Sequence, residues 1–471
     1  MSLARALSLR SRGEVTPRQL STAITLERSD TCSDPELFAS ALPGSAYTTL
    51  SLSPNIAQVL LATDSLGSVH LYRTNALGGG RASPIASSVV SAHSALSSSA
   101  WYSDSGLFVL GGSDGKVSIW DALTFQQVHS VQPGRRVYCT ALSSCASSHA
   151  LVAVGCTDRE VHLMDLSTGG ATQVLSSPAG HATGPILALC WHPTSEYQLV
   201  SAGSDGRVLF WDVRRSGGMS LLGALDMHNS IGSSGGVSGS IMPAPSISAL
   251  TSSVAHTSGA NGLAFAPPFS TISHSHRTHH TLITSGLDQK VRAWEVAPVF
   301  ELKERPIDGT VSSSSHASVM SRFAEDESDL FTGLRATRIN ARNTLRRFGP
   351  ARGVVNRAVN RTVPIICARS GQDGQPGICF HPNSGPPSTA SLGSPSLSGA
   401  SMEIGGSGVG SILMMNLATG ALVRELKGHF SGSVLSLTFN ANTGDLFSSG
   451  EDGLVLRWRS GKIFTKKGDN D

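Results

Sequence analysis

The chain has 471 residues, enough for one large core with appendages, and a formal charge of +3 at pH 7. So slight a charge gives no global pull toward nucleic acid, and no apolar run approaches the roughly 18 residues of a membrane span. Seven cysteines (Cys32, Cys139, Cys145, Cys156, Cys190, Cys367 and Cys379) include no Cys-x-x-Cys pair and read as free thiols of a reducing compartment, while Arg5, Arg10 and Arg12 break up the apolar stretch that a secretory signal needs.

In chain order, residues 1–22 come first. Leu3, Ala6, Leu7 and Leu9 alternate with arginines, Gly13 interrupts them, and Thr16 caps a second segment that has Pro17 at its first position. The pattern predicts two short helices outside the main fold, either a frayed terminus or a helix pair that is ordered by docking on a partner. Ile24-Thr25-Leu26 follows as a lone strand, which would complete the last structural unit and remove two exposed edges.

From there one frame recurs. Gly112-Ser113-Asp114-Gly115-Lys116-Val117-Ser118-Ile119-Trp120-Asp121 returns as Gly203-Ser204-Asp205-Gly206-Arg207-Val208-Leu209-Phe210-Trp211-Asp212. It returns again as Gly286–Glu295 and Gly450–Trp458, always with an Asp six residues before the Trp. Degenerate copies end on Tyr72, Met164 and Met415, giving seven anchors with Trp120, Trp211, Trp294 and Trp458. The shorter intervals match the roughly 40–45 residues of a four-stranded propeller blade, and the longer ones are a blade plus an insertion. Within a copy, Asp-Gly makes a tight hairpin turn and the alternating run up to Trp is a half-buried strand. Gln198–Ala202 is the strand before it. Ile186–Trp191 is the strand before that, ended by Pro193.

Three insertions interrupt the frame. Residues 216–260 and 383–408 are rich in Ser, Gly or Pro and read as disordered surface loops. Residues 300–360 carry an acidic patch at 324–329, then Arg335, Arg338, Arg342, Arg346, Arg347, Arg352, Arg357 and Arg361 with no acid among them. Such an arm suits a solvated linker or import signal better than phosphate contact, which is kept as the alternative. His274, His276, His279 and His280 cluster before a strand, but loop spacing supplies no preformed metal geometry. No phosphate loop, helical metal pair or nucleophile elbow is present, so catalytic, cofactor and metal sites are all expected to be none.

The frame resembles the WD-repeat family. That resemblance implies a buried hydrogen-bonded tetrad in a repeat, onto which His181, Ser201, Asp205 and Trp211 map, as do His429, Ser448, Asp452 and Trp458. The expected fold is all-β: a seven-bladed WD-repeat propeller over 23–465, a helical docking segment at 1–22 and a short tail at 466–471. Trp211-Asp212-Val213-Arg214-Arg215 further resembles the Trp-Asp-x-Arg motif of the substrate receptors of cullin 4 RING ubiquitin ligases. Segments 149–155, 161–166, 227–229 and 422–429 and the opening 7–18 extend that likeness toward a receptor acting in transcription-coupled nucleotide excision repair.

The resemblance implies a nuclear, non-catalytic receptor. Trp211, Asp212, Arg214 and Arg215, with Leu7, Leu9 and Arg10, would dock on the adaptor, the large subunit of the damaged-DNA-binding complex. Cullin 4 and its RING subunit would join through that adaptor. The coupling ATPase and stalled RNA polymerase II machinery would occupy the opposite surface. The alternatives are a generic scaffold binding chromatin or histones, and a nucleic-acid binder acting through the arginine arm.

Overall fold

A computed structural model describes residues 35–459, apart from 57, 76–80, 92–93, 135, 229–246, 267–279, 301–335, 344–355, 357, 359–360, 369–376, 384–409, 418–419 and 431. The strands form seven four-stranded antiparallel sheets, each a blade. Blade 1 runs from Tyr47 to Val89, blade 2 from Leu96 to Val131, blade 3 from Val137 to Leu175 and blade 4 from Ile186 to Ala224. Blade 5 runs from Ala260 to Asn343 and blade 6 from Ile366 to Lys427. Blade 7 takes three strands from Val434 to Trp458 and its outer strand from Glu36–Ser40. Fold class and blade count therefore match the sequence reading.

The seven anchors each lie on the third strand of a blade and face the seam with the preceding blade. Trp211 packs among Leu163, Leu175 and Leu199 between blades 3 and 4, and Trp458 among Phe380, Met414 and Leu446 between blades 6 and 7. A sheet that is apolar on both faces cannot stand alone, so closing the ring covers every seam. In several blades the turn before the third strand takes a left-handed residue. Gly206 has φ +78° and Gly453 +73°, but blade 5 places Gln289 there at +60°.

Several sequence expectations are corrected. The strand closing blade 7 is Glu36–Ser40, paired with Leu454–Arg457; residues 24–26 lie outside the described residues. Phe38 decides this, since it sits edge-on to Phe447 at 5.2 Å and to Tyr72 at 5.8 Å. The segment 216–260 is not one loop. It supplies blade 4's outer strand Leu221–Ala224, a short helix Ile247–Ser252, and Ala260, which begins blade 5. The arginine arm is not all linker either, because Ala336–Asn343 is the outer strand of blade 5. Among the described residues no helix is long and apolar enough to cross a membrane.

Candidate functional site

The tetrads are built from the turn end of the third strand. Trp211 Nε1–H can only donate, and it donates to Ser201 Oγ at 2.8 Å. The Ser201 hydroxyl then donates to His181 Nε2 at 2.8 Å, which leaves Nδ1–H to donate to Asp205 at 3.0 Å. Asp205 also accepts the backbone N–H groups of Ala182 and Arg207 at 2.8 and 3.1 Å. Burial opposes ionisation of Asp205, but these donors outweigh it and hold the pKa below the usual carboxylate value. In blade 7, Trp458, Ser448, His429 and Asp452 repeat the chain at 2.9, 2.9 and 3.0 Å. Blade 5 carries a third set that sequence reasoning missed: Trp294 to Thr284 at 2.9 Å, Thr284 to His256 at 2.8 Å, His256 to Asp288 at 2.9 Å. The signal was there in Thr284, placed before Trp294 as Ser201 is before Trp211. The longer stretch between His256 and Thr284, which contains 267–279, hid the histidine.

A different arrangement sits at the other end of blade 4's third strand. Asp212 holds Arg214 bidentately, Oδ1 to Nε at 2.9 Å and Oδ2 to the terminal nitrogen at 2.8 Å. Arg215 Nε adds a third contact to Asp212 at 3.5 Å. The Arg214 guanidinium lies over the Tyr197 ring, 4.3 Å from its centre. Tyr197 Oη pairs with Ser148 Oγ at 2.8 Å, tying this turn to a loop of blade 3. Next to it, Glu196 accepts the backbone N–H groups of Ser147 and Ser148 at 2.8 and 3.1 Å. Burial works against the Glu196 carboxylate, but those donors and the Tyr197 and Ser148 hydroxyls bring its pKa down to about 2. The result is a preorganised patch of two cations, an aromatic ring and two fixed anions, Asp212 buried beneath the arginines and Glu196 beside them.

The structure divides the docking candidates. Trp211 and Asp212 are each 1% exposed, so neither touches a partner; one fills a seam and the other aims two arginines. Arg214 and Arg215 reach the surface, with side chains 24% and 18% exposed. Leu7, Leu9 and Arg10 lie outside the described residues. Tyr197 and Glu196 belong to the patch and were not singled out from sequence, because their loop precedes the motif by a whole strand.

His274, His276 and His279 also lie outside the described residues, and His280 packs on His192 with ring centres 4.4 Å apart. Burial, reinforced by His280, pushes His192 down to about 3. Among the described residues no cluster of His, Cys, Asp and Glu is placed to hold a metal ion.

Residues 85–121, 172–212 and 420–459 match the family described as WD domain, G-beta repeat. The chain is a WD-repeat propeller. It is 41% identical over 124 residues to WD repeat-containing protein ATCSA-1 of Arabidopsis thaliana, covering 26% of this chain and 27% of that one. It is 35% identical over 120 residues to a ribosome biogenesis protein WDR12 homolog of Chlamydomonas reinhardtii, covering 25% and 26%. It is 38% identical over 78 residues to ribosome biogenesis protein YTM1 of Chaetomium globosum, covering 16% of each. The aligned part thus spans about a quarter or less of these relatives' own length.

This corrects one reading. The extended likeness of segments 149–155, 161–166, 211–215, 227–229 and 422–429 and the opening 7–18 points to a single protein, the Cockayne syndrome A protein. The matched stretches are short, and proteins named for ribosome biogenesis share the chain to a similar extent, so the identification with that one protein does not hold.

Proposed function

We propose that this chain is a substrate-recognition subunit of a cullin 4 RING ubiquitin ligase. The carrying observation is the Arg214 guanidinium, fixed by Asp212 and Tyr197 at the end of a rigid strand. A cation held in one rotamer loses little entropy on binding and suits an acidic counterpart on a partner. In this reading Arg214 and Arg215 dock on the large subunit of the damaged-DNA-binding complex, assisted by Leu7, Leu9 and Arg10 in the segment 1–22. Cullin 4 and the RING subunit follow through that adaptor. The setting is nuclear, in transcription-coupled nucleotide excision repair, with the coupling ATPase and stalled RNA polymerase II machinery presented to the ligase. The chain positions substrates and performs no bond chemistry.

The test is co-purification of the adaptor with the tagged full chain. Arg214→Ala should weaken recovery roughly tenfold or more, since truncating one partner of a desolvated charge pair costs about 2 kcal/mol or more, and deletion of 1–22 should weaken it further. Undiminished recovery by both variants would remove the ligase reading. A second reading is a scaffold without a ligase role, favoured by the relatives named for ribosome biogenesis. Recovery of pre-ribosomal particles in place of the adaptor would support it.

A further inference from the structure

The inner strands surround a channel, and the residues leading into blade 6 cross it. Thr362 Oγ1 donates to the carbonyls of Leu187 at 2.5 Å and Tyr138 at 3.3 Å, in blades 4 and 3. Val363 N–H donates to Asn261 O at 2.7 Å, in blade 5. Its neighbour Arg361 reaches the other way, to Glu451 in blade 7 at 3.5 Å. The segment is therefore a bar across the channel.

Arg361 is poorly neutralised there. Its Nε is buried and has no hydrogen-bond partner. Among the described residues its ion-pair partner is Glu451, which is 48% exposed and accepts the backbone N–H of Ser433 at 3.1 Å through its other oxygen. Beside the bar lies a cavity of about 460 Å³ that also takes in Arg136, Tyr138, Leu189 and Leu263. Hydroxyls line its wall, with Thr49 bonded to Ser99 at 2.8 Å and Ser98 to Thr140 at 3.0 Å. Arg136 is exposed and lies 5.1 Å from the Tyr138 ring centre. Its carbonyl accepts from Thr157, just beyond the second strand of blade 3. Both arginines thus belong to the face of the Asp-Gly turns, opposite Arg214.

We propose that this channel mouth binds an acidic peptide segment of a partner protein, with a carboxylate seated on Arg361 and Arg136 steering its approach. A buried guanidinium edge without an acceptor calls for an anion. The depth beyond it, at Leu189 and Leu263, suits the aliphatic stem of a glutamate better than an inorganic ion. Two arginines are few for a nucleic-acid backbone, whose binding scales with the number of phosphates neutralised. The site is independent of the Arg214 patch and of the ligase reading.

The probe is a fluorescein-labelled octapeptide of alternating Glu and Ser, titrated with the purified full chain and followed by anisotropy; the control replaces Glu with Lys. The acidic probe should saturate and weaken with salt, and the Lys peptide should not bind. Arg361→Gln should weaken binding at least tenfold and Arg136→Gln severalfold, while Arg214→Ala should match wild type. The bar is held by Thr362 and the Val363 backbone, so Arg361→Gln should melt like wild type; if it does not fold, Arg136→Gln decides. No saturable binding by wild type, equal affinity in a folded Arg361→Gln, or displacement by single-stranded DNA but not by unlabelled peptide would overturn the proposal.

Discussion

Asp205→Ala tests whether a tetrad holds its blade together. The substitution leaves three donors without an acceptor: His181 Nδ1–H and the backbone N–H groups of Arg207 and Ala182. The His181 side chain is fully buried and the Asp205 side chain only 5% exposed, so the imidazole cannot turn to water. Orphaning one buried donor costs about 1–3 kcal/mol. The Arg207 amide is half-buried and adds roughly 1 kcal/mol, while the Ala182 amide is exposed and adds little. The total is about 2–4 kcal/mol, which lowers the melting temperature by roughly 2–5 °C in a protein of this size. The pH dependence has a definite sign. The folded pKa of Asp205 lies below its unfolded value of 3.8, so its contribution is complete above about pH 4 and fades as pH falls toward the folded value. The gap between wild type and variant should therefore be full at pH 7 and narrow below pH 4. Scanning calorimetry on both proteins at several pH values reads this directly. Equal melting temperatures at pH 7 would refute the account of the tetrad, and a gap that widened in acid would refute the sign of the linkage.

Gly206→Ala should destabilise by at least about 1 kcal/mol, because φ is +78° and a Cβ would press on the His256 carbonyl; an unchanged urea midpoint would contradict this. The reverse change in blade 5, Gln289→Gly, relieves φ +60° and should stabilise by up to about 1 kcal/mol, seen as a higher urea midpoint. Deleting 336–343 should expose the edge of Val291–Phe300 and drive association, visible by size-exclusion chromatography; a well-behaved monomer would show that this outer strand is dispensable. Burial pushes the Cys156 thiol up to about 12 and the Cys190 thiol to about 11, so both should resist a disulfide reagent at pH 8 until the protein is unfolded in urea. Prompt reaction in the native state would sink that expectation.

The blades were legible because their chemistry is local. The Asp-to-Trp interval is set by one hairpin, and alternation marks the strand that fills a seam, so even the copies ending on Tyr72, Met164 and Met415 could be found. Features fixed by distant packing were not. Ile24-Thr25-Leu26 has the better strand propensity, but the Phe447 and Tyr72 rings select Phe38 instead. The outer strands Leu221–Ala224 and Ala336–Asn343 were hidden in Ser/Gly-rich and Arg-rich surroundings. An outer strand covers only one side of its sheet, so composition constrains it weakly. The channel bar was invisible for a similar reason. Nothing around Arg361 and Thr362 says that one faces blade 7 and the other blades 3 and 4.

The two candidate surfaces are separated by the strands themselves. Val208–Asp212 begins at the Asp205-Gly206 turn and ends at the turn bearing Arg214. Five residues at about 3.3 Å each put roughly 17 Å of paired backbone between the two ends. The supports are separate as well. Asp205, with His181 and Ser201, secures one end, while Asp212, Tyr197 and the Ser148 hydroxyl secure the other. A partner seated on Arg214 therefore leaves the channel mouth open, and an acidic peptide at Arg361 leaves the Arg214 patch untouched. With the two proposed surfaces so separated, the energetic effects of Arg214→Ala and Arg361→Gln should be additive, as expected of distant sites that share no contact.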